Sequence, residues 1–294
     1  MSATLLAAVQ DQVQTFWSDI FVNEFTEMAK LPSLVSREYQ GEIEEAGNTV
    51  KVSQINTPTA TRRTIGTPGY ENYTATPMVT EQIFVTADTI IDAGYEFGSL
   101  AMLQSQIKSQ DSSIRAGLLK ALEIEMNNWL YSIVSPSASS PDHIIDSVSD
   151  FNATQLLAAR KIAADAHWPE GDSWLLASSS YINDMLAVTG LTSNDFVTDN
   201  PVLSGRLVAQ RFGLNILEDN SVGMRQLSPS SAANDLALLF NPAFMYLCMQ
   251  LQPVFKISDL HAMKRRGYLI TVELVAGAKL GLDGATKHAK FYNS

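Results

Sequence analysis

Leu5, Leu6, Val9, Val13, Phe16, Trp17, Ile20, Phe21, Phe25 and Met28 recur at helical spacing. The pattern predicts one amphipathic helix over residues 3–30, stopped at Pro32. Its apolar face is wide enough for a core, or for an arm lying on a neighbouring subunit. The period then changes. Val50 and Val52 alternate with polar residues after the turn signal Gly47-Asn48, and Ile83, Val85 and Ala87 alternate again. Between these runs, residues 57–80 hold eight Thr, three Pro and two Gly, with almost no large aliphatic side chain. Two strands flanking such a segment predict an extended hairpin, and loops of this length are commonly functional. A hairpin with so little apolar surface needs a partner to lie on.

Asp111 reads as a helix cap, followed by a stripe of Ile114, Leu118, Leu122, Met126, Trp129, Leu130 and Ile133 that Pro136 ends. A helix over 111–134 would be roughly 36 Å long at 1.5 Å per residue. A polar linker, 135–143, comes next. Residues 150–250 read as a separate α/β region. Asn152 caps a helix running to His167, a strand covers Trp174 to Ala177, and a helix covers Tyr181 to Val188. After an Asn/Asp-rich span (190–205), strands fall at Leu214–Leu217 and Leu236–Phe240. Over 251–282 alternation returns, with Leu269, Thr271 and Glu273 on one side and Tyr268, Ile270, Val272 and Leu274 on the other. There is no internal repeat.

Composition narrows the classes. Of 294 residues, 46% are hydrophobic and 17% charged, and the net charge is −11. The chain is too apolar for disorder and poorer in charge than the about 25% usual for a soluble domain, as expected if much surface lies against other subunits. An acidic balance disfavours broad nucleic-acid binding, which needs clustered Lys and Arg. The longest apolar run, Ala243 to Met249, is far too short to cross a membrane. The N-terminal stretch lacks a basic n-region, so no secretory signal is expected. Cys248 is the only cysteine, which leaves no internal disulfide and predicts a buried thiol.

The search for chemistry returns little. There is no GxSxG, HExxH, GxxxxGK[ST] or GxGxxG. Gly277, Gly281 and Gly284 read as turn and packing glycines rather than a phosphate loop. His143, His167, His261 and His288 are scattered, and Glu42, Glu44 and Glu45 read as a solvated acidic face. No catalytic residue, metal site or cofactor is expected. Charge is distributed unevenly: residues 1–50 hold two basic and eight acidic side chains, and residues 251–294 hold seven basic and three acidic. Acidic and basic segments of this kind can meet within or between subunits and set register.

The order of these parts resembles a known family. An amphipathic arm leads to REYQGEI (37–43) and GNTVKV (47–52), then the Thr/Pro-rich hairpin, VTEQIFVTA (79–87) and the long helix. HWPEG (167–171) precedes WLLA (174–177) and SSSYI (178–182), and LSGRLVAQRFGLNI (203–216) and GYLITVELVAGAKL (267–280) follow. This series resembles the major capsid protein of tailed bacteriophages, with the α+β Hong Kong 97-type fold, over roughly residues 15–285. The resemblance implies an N-terminal arm (1–40), an E-loop with flanking strands (41–90), a P domain with its spine helix (91–149), an A domain (150–250), and a return to the P domain with a C-terminal segment (251–294).

By the same resemblance, the chain assembles with itself as pentamers and hexamers of an icosahedral head enclosing double-stranded DNA, without sequence-specific binding. It resides in the virion after assembly in the host cytoplasm. A separate scaffolding protein, a portal protein and a decoration or cement protein are the further partners implied, and no membrane is. Arg62, Arg63, Tyr70 and Tyr73 are the expected inter-subunit contacts. Asp11, Asp19, Glu24 and Glu27, or Lys264, Arg265 and Arg266, are the expected contacts to scaffold or neighbour. Some relatives cross-link an E-loop lysine to a neighbour; here no Lys lies between Lys51 and Lys108, so no covalent cross-link is expected. The alternatives are an encapsulin-like nanocompartment shell and an acidic α/β enzyme on residues 150–250.

Overall fold

The computed structural model describes residues 29–39, 48–55, 57–69, 71–72, 75–98, 111–134, 143–188, 210–228, 235–260 and 267–293. Residues 3–28 of the predicted helix over 3–30 lie outside them, and residues 29 and 30 are not helical. Pro32, expected to stop that helix, sits instead in the first turn of a short helix α1, Leu31–Leu34. Proline is tolerated there because the first-turn amides have no intrahelical partner.

The chain divides into two compact units. Among the described residues, the smaller takes in 93–98, 111–121, 255–260 and 267–272. It contains the end of strand β3 (Thr89–Gly98), the first half of helix α2 (Asp111–Val134) and the adjoining ends of β9 (Met245–Asp259) and β10 (Gly267–Leu280). The three strands are ordered β3-β10-β9. In this unit the Arg115 guanidinium lies over the Phe255 ring, 5.1 Å from its centroid. Asp111, expected as a cap, is the first residue of α2 itself.

The larger unit holds a six-stranded mixed sheet ordered β4-β11-β8-β5-β7-β6. Its strands are β4 (His143–Ile145), β5 (Ser173–Ala177), β6 (Gln210–Arg211), β7 (Leu214–Glu218), β8 (Leu236–Phe240) and β11 (His288–Tyr292). β5 runs parallel to β7, and β8 antiparallel to both β5 and β11. Alternation puts Leu175, Ala177, Leu214, Ile216, Ala237, Leu239, Ala289 and Phe291 on one face. There they form a core with Leu156, Ala159 and Ala163 of helix α3 (Ala153–Asp165) and Tyr181, Ile182 and Met185 of helix α4 (Ser179–Ala187).

The opposite face carries Leu176, Leu236, Leu238 and Phe240, also buried, so β8 is buried along its whole length. A 3-10 turn, Gly223–Leu227, lies against β8 and β11 on it. Two of the sheet's strands, β4 and β11, come from outside residues 150–250.

Local signals explain the element ends. The Asn152 side chain accepts from Thr154 N–H, and Gln155 reaches back to the Asn152 amide, making a capping box. The helix stops at Asp165, two residues before the expected end. His167 takes a left-handed conformation (φ 55°). The Trp168 and His167 amides then donate back to Ala163 O (3.0 Å) and Ala164 O (3.1 Å). That is a Schellman closure with histidine in the position glycine usually fills.

Candidate functional site

β1 (Thr49–Ile55) and β2 (Thr80–Thr86) form a two-stranded antiparallel sheet in register from Thr49↔Thr86 to Ile55↔Thr80. The predicted hairpin is therefore present. Its two faces have different fates. One carries Val50, Val52, Ile83 and Val85, and its root packs with Ala87, Cys248 and the partly buried Tyr39, Tyr246 and Val275. Tyr39 meets Tyr246 edge-on with ring centroids 5.2 Å apart. Cys248 is a buried thiol, as expected.

Backbone contacts clamp the root. The Ala87 amide donates to Asn48 O at 2.8 Å. β10 crosses the end of β2 so closely that a Cβ on Gly277 would fall 2.6 Å from the Thr86 carbonyl carbon and 2.9 Å from the Ala87 nitrogen. Only glycine permits that approach. Gly281 and Gly284 also pack closely: the Gly281 amide donates to Phe244 O at 2.7 Å, and a Cβ on Gly284 would lie 2.8 Å from that oxygen. The reading of all three as packing glycines holds.

Beyond Val52 and Ile83 burial ends. Residues 53–55 and 80–82 are exposed, and Gln54 Nε2 reaches Asp283 Oδ2 at 3.4 Å. Every described residue from 57 to 79 is exposed. Arg62 and Arg63 are among them, and Arg63 Nη1 donates to Gly69 O at 3.4 Å. Tyr70 and Tyr73 lie outside the described residues, as do Asp11, Asp19, Glu24, Glu27, Lys264, Arg265 and Arg266. Sequence reasoning missed the apolar part of this surface: Ile55, Ile65, Met78, Val79 and Phe84 are all exposed large hydrophobics. The available signal was their presence in a stretch otherwise made of Thr, Pro and Gly.

A buried clasp holds the second half of α2 against the sheet. Tyr131 Oη donates to Asp219 Oδ2 at 2.7 Å, and the Ser221 amide donates to Asp219 Oδ1 at 2.9 Å. Burial, reinforced by the Asp219 charge, holds the Tyr131 phenol well above its ordinary pKa, so it stays a donor. Gly223 lies against the same helix, where a Cβ would fall 2.8 Å from Asn128 Oδ1. Lys290, on β11, is buried beside the Tyr292 ring (5.9 Å), and burial lowers its pKa. Among the described residues, no three His, Cys, Asp or Glu side chains converge to hold a metal, and no helix is long and apolar enough to cross a membrane.

The architecture is that of phage capsid subunits, the mixed helix-and-sheet fold expected from the sequence. A structure from Mycobacterium phage Che8 matches with a TM-score of 0.71 at 19% identity, covering 95% of this chain and 96% of its own. The capsid structure of Cyanophage P-SCSP1u matches at 0.73 and 13% identity, covering 97% and 94%. The Cyanophage Pam1 capsid asymmetric unit matches at 0.73 and 14% identity, covering 97% of each chain. No family model and no curated protein matches the sequence. What is shared is the path of the backbone; most side chains differ.

Proposed function

We propose that this chain is the major capsid protein of a tailed bacteriophage, self-assembling into the icosahedral shell that encloses double-stranded DNA. The observation that carries the reading is the fold match, which spans 95–97% of this chain in three structures, two of them described as capsids. The hairpin supports it physically. An element exposed on both faces for most of its length is stabilised by a surface outside its own chain.

On this reading the protein works by assembly and not as an enzyme. Residues 1–40 are the N-arm, the hairpin within 41–90 is the E-loop, 91–149 carry the spine helix, and 150–250 form the A domain with β4 and β11 completing its sheet. Each contact between copies is weak, but contacts repeat around a closed shell and avidity replaces individual affinity. Arg62, Arg63, Tyr70 and Tyr73 contact neighbours. The acidic arm (Asp11, Asp19, Glu24, Glu27) or the Lys264–Arg266 cluster receives a separate scaffolding protein, and portal and decoration proteins complete the particle. The net charge of −11 suits a wall that must not hold DNA by its phosphates.

Negative-stain electron microscopy of the purified chain, alone and with its scaffold, tests the reading. Closed shells or capsomer rings are expected; a protein that stays monomeric under both conditions would sink it. Shells that co-purify with one enzyme cargo instead of DNA would favour the nanocompartment alternative.

A further inference from the structure

Asn127, on α2, is fully buried, yet neither its Nδ2 nor its Oδ1 has a hydrogen-bond partner among the described residues. Ser221 Oγ and Asn128 Oδ1 are buried in the same condition. These groups gather around Tyr131. Asn127 and Asn128 precede it by four and three positions, so they share its stretch of helix, and a helical aromatic side chain leans back over those positions. Ser221 arrives from the other side. Its amide holds Asp219 Oδ1 while Tyr131 Oη holds Asp219 Oδ2, and its side chain lies close enough to act on the Tyr131 phenol. Gly223 closes the group: a Cβ there would fall 2.8 Å from Asn128 Oδ1 and 2.9 Å from Tyr131 Cδ2. Packed interiors hold few polar groups left bare, because each forfeits its bonds to water.

We propose that Asn127, Asn128 and Ser221 line a closed hydration site, in which internal water bridges α2 to the segment 219–223. The open groups select the ligand. Asn127 Nδ2 and the Ser221 hydroxyl offer hydrogens, while Asn127 Oδ1, Asn128 Oδ1 and Ser221 Oγ offer lone pairs. A metal ion would satisfy the oxygens and leave Nδ2 turned toward a cation. An anion would meet those oxygens beside the Asp219 carboxylate. Water donates and accepts at once, and an internal water makes about three such bonds. Both amide atoms of Asn127 are open, so the choice holds whichever way that amide is turned. The bridge adds a second link to the Tyr131–Asp219 bond, and it accounts for polar side chains in the interior of a helix stripe.

The test uses the full chain before assembly, as wild type, N127L, S221A, the double variant and Q54A, a control at an exposed side chain. Oxygen-17 relaxation dispersion of the solvent counts long-lived internal waters. N127L should lower the count by about one, and Q54A should leave it unchanged; an unchanged count in N127L would overturn the site. In denaturant, N127L and S221A should each raise the unfolding constant about tenfold, and the double variant no more than the larger single, because one bridge is lost in all three. Effects that multiply to about a hundredfold would overturn the bridge. So would an N127L chain more stable than wild type, the result of replacing a dry orphan amide. A readout on wild type alone guards against a variant that does not fold. With asparagine labelled by nitrogen-15, the Asn127 side-chain amide should cross-relax directly with water, and silence there would overturn the site. Calcium or sodium added after dialysis against chelator should leave the melting temperature unchanged. A rise would give the site to a cation instead.

Discussion

The six-stranded sheet and the β1–β2 hairpin obey opposite rules within one chain. β8, Leu236–Phe240, is buried at every position. In β1 only Val50 and Val52 are buried. The sheet is covered by helices and a turn of its own chain; the distal hairpin is covered by none of the described residues. Apolar area drives the first and turn chemistry shapes the second. The sheet buries its apolar side chains within its own chain, whereas the distal hairpin keeps its shape through hydrogen bonds and leaves its apolar side chains exposed.

Substitutions can break or sharpen this contrast. Phe291→Ala, in the sheet core against Phe151 (5.3 Å between centroids), should destabilise the subunit by about 4 kcal/mol in denaturant unfolding. A change below about 1 kcal/mol would show that the core is not cooperative there. Gly277→Ala should cost about 2–3 kcal/mol, because backbone and not a flexible side chain stands in the way. Its effect should be local: hydrogen exchange in 49–55 and 80–86 accelerates while β8 stays protected. Equal acceleration in both would contradict the separation of the two regions.

Tyr131→Phe removes a donor from a buried carboxylate and should cost about 2 kcal/mol, read as a lowered denaturation midpoint with unchanged slope. An unchanged midpoint would mean that water replaces the phenol. Lys290→Met should flatten the pH dependence of subunit stability that the buried amine produces. The sign follows from proton linkage. The folded-state pKa lies below the ordinary 10.5. Between the two values the unfolded chain binds more protons, so wild-type stability rises with pH through that window. The variant should lose that rise; if it keeps it, another group is responsible. The smallest effect belongs to the hairpin. Arg62→Ala with Arg63→Ala should leave subunit stability within about 0.5 kcal/mol and still slow assembly. Wild-type assembly rates would mean that the two arginines are merely solvated.

The hairpin was legible in the sequence because composition and period change together: Val50, Val52, Ile83 and Val85 alternate around a Thr-rich stretch, and their pairing follows. Helix α2 was legible from its stripe, although Asn127 and Tyr131 are buried beside it, and nothing local marks a polar side chain as interior. β11 was missed for a related reason. Its polar His288 and Lys290 are both buried, which no apolar pattern announces. Pairing with β8, nearly fifty positions earlier, is a long-range choice that no local window records. At the hairpin tip, the two arginines drew notice as charges, whereas Ile65 was hidden by its turn-forming neighbours.

The contact between Gln54 and Asp283 marks a fulcrum. Past it the hairpin is a cantilever: nine residues, 57–65, reach at most roughly 30 Å at about 3.3 Å each. An arm rooted beside Gly277 carries its tip up to that distance from the root. Once two subunits touch anywhere, each holds its tip near the other at an effective concentration in the millimolar range. A grip far too weak to join free subunits then closes readily, and it reopens just as readily when a subunit has joined at the wrong angle. In the proposed shell, a long exposed limb of this kind would give a misplaced subunit a grip it can release.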